Sequence, residues 1–141
     1  MWDKFRLKAK KISESYIDVL WCNIGEGMNI PDDLRGLNLN NYDSIARLVK
    51  DYLMVNLKEK SISIQVRTKN SLKYAINFWD EKTLERIYDG VLPEIGLPTV
   101  FSCKEFYIKV WSLLFPNESY YIDNDDKSTY QDLGPLYNVF L

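Results

Sequence analysis

The hydrophobic pattern of this chain changes period part-way along, and that change limits the folds open to it. Ile45, Leu48, Val49, Tyr52 and Leu53 recur at steps of three and four, as one buried face of a helix does. Asn41 or Asp43 can cap that helix, which should end near Val55. Beyond it, Ile62, Ile64 and Val66 alternate with Ser61, Ser63, Gln65 and Arg67, the period of a half-buried strand. Alternation resumes with Leu72, Tyr74, Ile76 and Phe78, so Lys69-Asn70 becomes the turn of a β-hairpin over 61–78. Leu72, Ala75, Ile76 and Trp79 also stand at helical spacing, with Asn70 as a cap. Aromatic and β-branched side chains favour the hairpin. A lone hairpin is marginal in water, so a third strand is expected from 120–122 or 136–141.

Three further helices frame this region. Trp2, Phe5, Ala9, Ile12, Tyr16 and Val19 or Leu20 form one apolar stripe over 3–22, with Lys4, Lys8 and Lys11 on another face. Gly25, Gly27 and Pro31 end it. Asp80 caps a short helix carrying Leu84, Ile87, Tyr88 and Val91. Ser102 and Glu105 have capping-box spacing and open a helix over 103–115, which Pro116 stops. The expected fold is therefore one α+β domain over 1–141, with about four helices and a small antiparallel sheet. An all-α domain is the alternative.

At 141 residues the chain can bury roughly 68–70% of its unfolded surface. Four Trp, ten Tyr and six Phe supply the large side chains such a core needs. Cys22 and Cys103 form no C-x-x-C pair and match no zinc spacing, which marks them as two small reduced core residues. No stretch is apolar for long enough to span a bilayer, and Glu14 and Asp18 interrupt the segment where a signal peptide would be apolar. A cytosolic protein is expected.

There is no histidine. Its absence removes Ser-His-Asp and Cys-His catalysis, His-ligated zinc and imidazole pH switching together. No other motif replaces that chemistry. Gly25-Glu26-Gly27 lacks the spacing of a phosphate loop, and Glu26 would repel a phosphate. No cofactor is expected, and the chain reads as a binder rather than an enzyme.

Charge is close to balanced, at −2, but is unevenly placed. Lys4, Arg6, Lys8, Lys10 and Lys11 crowd the start; Glu118, Asp123, Asp125, Asp126 and Asp132 crowd the end. Around the acidic end, Tyr120, Tyr121 and Tyr130 add phenolic rings. Carboxylates imitate the charge and spacing of phosphates, and tyrosines give rigid contact area at low entropy cost. That mixture suits the basic surface of another protein, and complementary charge speeds the encounter. The candidate partner-binding residues are Tyr120, Tyr121, Asp123, Asp125, Asp126, Tyr130 and Asp132. The rival is a plain polar loop, since Asp and Asn favour turns.

Other readings fit less well. A calcium loop starting at Asp123 fails, because its fifth, sixth and twelfth positions are Lys127, Ser128 and Gly134. Nucleic-acid binding by the basic N-terminus has no accompanying motif. Lys4, Lys8 and Lys11 could instead pair with Asp123, Asp125 and Asp126 across the fold, which would make both ends ordinary structure. The expected function is stoichiometric binding of another protein, in its most specific form the inhibition of a basic, nuclease-like toxin by an immunity or antitoxin-type protein. A carboxylate-based hydrolase and an adaptor subunit assembling through the N-terminal helix are the alternatives.

Overall fold

The computed structural model describes residues 9–139. Lys4 and Lys8, with the start of the expected 3–22 helix, lie outside them. The described chain is mostly helical: β1 (Lys10–Ile12), α1 (Glu14–Trp21), α2 (Asp32–Arg35), α3 (Tyr42–Leu48), α4 (Met54–Lys58), α5 (Ile62–Phe78), α6 (Glu81–Asp89), α7 (Cys103–Leu114) and β2 (Tyr130–Asp132). A π-helical turn (Val49–Leu53) joins α3 to α4, so the two run as one rod. A 3₁₀ segment (Asn124–Thr129) leads into β2.

The expected hairpin over 61–78 is instead α5, the longest helix of the described chain. Ser61 caps it by accepting the Ile64 N–H on its hydroxyl. The residues it buries are Thr68, Ser71, Leu72, Ala75 and Ile76, which follow helical steps of three and four. Ile62 and Val66, which led the alternating pattern, are exposed at 72% and 49%. A continuous helical stripe against the core outweighs the strand preference of β-branched side chains, which is only a weak bias.

The sheet is also different from expectation. It has two strands, β1 and β2, and they are parallel, with Lys10 opposite Tyr130 and Ile12 opposite Asp132. Residues 120–122 and 136–139 form no strand. The first stripe divides at Ser13: Lys10–Ile12 is strand, and Ser13 accepts the Ser15 N–H to cap α1. Ile12 is fully buried in β1, so it is not on a helix face offered to a second copy. The caps expected at Asn41, Asp80 and Ser102 all form.

The core lies where α1 crosses α5, α6 and α7. Trp21 of α1 stacks on Phe106 and meets Tyr88 and Tyr107 edge-on, with ring centroids 5.3–5.6 Å apart. Leu72, Ala75 and Ile76 of α5, Leu84 and Ile87 of α6, and Leu48, Val49 and Leu53 of the α3–α4 rod complete it. Cys103 belongs to this cluster, and its thiol is pushed up to about 12, by burial first and then by Glu81, Glu85 and Asp89. Cys22 is exposed, contrary to the expectation of a core residue. No described helix is long and apolar enough to cross a membrane.

Candidate acidic tyrosine groove

The acid-tyrosine segment runs along the outside of α5, and α5 fixes its path. The Asn77 side chain donates to the Tyr120 carbonyl (2.7 Å) and accepts the Ile122 N–H (3.0 Å). One amide thus bridges both polar backbone groups around Tyr121. Ile122 is 6% exposed and anchors the strip, while Tyr121 is 64% exposed beside it. Upstream, Trp111 donates its indole N–H to the Glu118 carbonyl at 2.8 Å, and the Glu118 carboxylate pairs with Lys69 and Lys73. Those two lysines hold the Glu118 carboxyl below its usual range.

Downstream, Asp123 turns the chain. Its Oδ1 accepts the Asp125 N–H at 3.2 Å, an Asx turn that opens the 3₁₀ segment. Thr129 closes that segment by donating to the Asp126 carbonyl at 2.6 Å. Tyr130 then enters β2 and packs its ring 5.4 Å from Tyr74. Burial raises the Tyr130 phenol above its ordinary value. The Lys10 ammonium lies 5.2 Å from the centroid of the same ring.

A cavity of about 360 Å³ results, lined by Lys10, Lys73, Tyr121, Ile122, Asp123, Asp126, Thr129 and Tyr130. Four of the residues singled out in the sequence therefore meet at one place: Tyr121, Asp123, Asp126 and Tyr130. The other three do not line it. Tyr120 contributes its backbone carbonyl to Asn77, Asp125 sits on the exposed 3₁₀ turn, and Asp132 accepts the Gly134 N–H in the turn after β2.

Asp123, Asp125 and Asp126 are exposed. The ion pairs among the described residues are made by Arg35, Arg47, Lys69, Lys73 and Arg86, and none reaches these three aspartates. The pairing of Lys11 with them is therefore not formed, and Lys4 and Lys8 lie outside the described residues. Among the described residues, no group of three or more Cys, Asp or Glu is placed to hold a metal ion.

Sequence reasoning missed Asn77, Lys10, Lys73 and Thr129. Asn77 falls between Ile76 and Phe78 in the alternating pattern expected to be a strand. Nothing local to it points at a segment 43 residues away. Lys10 counts in the sequence only as one of the basic residues that crowd the start, whereas β1 pairing carries it to Tyr130. No protein-family model, no curated protein and no solved structure matches this chain.

Proposed function

We propose that this protein acts by stoichiometric binding of another protein with a basic surface, and that the strip from Tyr120 to Tyr130 makes the contact. Inhibition of a basic, nuclease-like toxin is the most specific form of the reading. The observation that carries it is the display of exposed carboxylates and a 64% exposed tyrosine on a backbone fixed by Asn77. A strip held in place before binding loses less conformational entropy on association. Its free carboxylates would steer a positively charged partner toward it.

The test is capture from the native host, with the wild-type chain and a triple variant, Asp123→Asn, Asp125→Asn and Asp126→Asn, run side by side. The expected catch is a basic protein retained by the wild type and depleted by the variant. With that protein in hand, stopped-flow mixing should show association slowed on the order of tenfold in the variant at low salt, with a flatter salt dependence. Equal capture and equal on-rates for both chains would remove this strip as the binding site.

A further inference from the structure

The cavity beside the strip says more about the partner, given the binding reading above. At about 360 Å³ it stands at the small end of ligand-sized pockets, too small to seat a helix or a strand. Its lining has two aromatic rings, Tyr121 and Tyr130, and two carboxylates, Asp123 and Asp126. The Tyr130 ring already carries a cation, the Lys10 ammonium at 5.2 Å. No ion pair of the described residues involves Lys10. The other lysine of the lining, Lys73, is held away from the rings by Glu118 at 3.3 Å, a carboxylate it shares with Lys69, and its ammonium lies over the Trp111 ring.

We infer that this cavity takes a single arginine side chain of the partner, its guanidinium against the tyrosine rings and paired with Asp123 and Asp126, with Lys10 as the internal cation it displaces. A planar guanidinium suits this lining better than a second ammonium. It stacks on aromatic faces and pairs with carboxylates through two parallel N–H donors. Lys10 then acts as a brake: its charge lowers the affinity of the cavity for any incoming cation until it swings out.

The test is a titration of the isotope-labelled full chain with N-acetyl-arginine amide, read in amide spectra. The wild type should show shifts confined to Tyr121, Ile122, Asp123, Thr129 and Tyr130. Lys10→Met removes an exposed charge without touching the core, and should tighten binding about fivefold. Asp123→Asn with Asp126→Asn keeps the Asx turn and should weaken it by about tenfold or more. Localised shifts absent from both wild type and Lys10→Met at millimolar probe would overturn the proposal. So would equal binding by the double Asn variant, or a response to inorganic phosphate in place of the arginine amide. If the partner protein is nevertheless lost by the triple Asn variant, the binding strip stands and only the arginine falls.

Discussion

The Glu81 carboxylate accepts the backbone N–H groups of Cys103 (2.6 Å) and Lys104 (2.9 Å), so the first turn of α6 caps the start of α7. Ser102 accepts the Glu105 N–H at the same helix end. Three of the four free N–H groups of α7 are thereby bonded, two of them to a charged group at the positive end of the helix dipole. Glu81→Ala should lower stability by about 1–2 kcal/mol, and Glu81→Gln by roughly half of that. Urea unfolding followed by circular dichroism measures it. A midpoint unchanged in Glu81→Ala would contradict this role.

Tyr107 joins three elements through one hydroxyl. It accepts the Trp21 indole N–H at 3.2 Å and donates to the Leu84 carbonyl at 2.8 Å, deep in the core. Tyr107→Phe keeps the ring packing but leaves the buried Trp21 indole N–H without a partner and takes the second donor from the Leu84 carbonyl, which keeps its bond within α6. The expected loss is about 2–3 kcal/mol, read as a lower thermal midpoint with near-native circular dichroism. A loss below about 0.5 kcal/mol would mean that the indole N–H finds another partner.

Asp18 should make the protein more stable in mild acid. Burial, and then the charge of Glu14, raise its carboxyl to about 6, with Arg86 acting in the opposite direction. The folded state therefore binds this proton more tightly than the unfolded chain does. The stabilisation is complete below the ordinary value of 3.8 and is lost as pH rises through about 6. Asp18→Asn should be more stable than wild type at pH 7 by about 1 kcal/mol, after allowance for solvent screening of this half-buried group. The two should converge near pH 4. Thermal melts of both chains from pH 4 to 7 decide it, and parallel curves would show that Asp18 is not the source.

Asn77 controls the strip without taking part in its surface. Asn77→Ala removes the bonds to the Tyr120 carbonyl and the Ile122 N–H. Hydrogen exchange at Ile122 should accelerate about tenfold, while amides in the core of α7 stay protected. Loss of protection across the whole chain would instead mark Asn77 as a residue of general stability.

Helix ends were readable from the sequence because capping is local. Asn41, Asp80 and Ser102 each bond a backbone N–H two or three residues on, so spacing alone finds them. The acid-tyrosine strip was likewise readable as a composition, and its polar loop character was too. What spacing could not reveal was which four of its seven singled-out residues share a cavity. That selection depends on Asn77, on β1 and on Lys73, all distant in the chain.

The region 61–78 marks the boundary between the two kinds of information. Its sequence holds an alternating pattern and a helical one together, and intrinsic preference favours the wrong one. Helix α5 forms because α1, β1 and α7 present an apolar surface that its stripe of Thr68, Leu72, Ala75 and Ile76 can cover, while Ile62 and Val66 are left in solvent. The parallel pairing of β1 with β2 has the same origin. Strands this short carry no sequence signal strong enough to name their partner, and only the packed helices between them bring Lys10 beside Tyr130. Local hydrogen bonding is written into neighbouring residues, whereas the choice between two periodicities belongs to whichever surface the rest of the chain offers for burial.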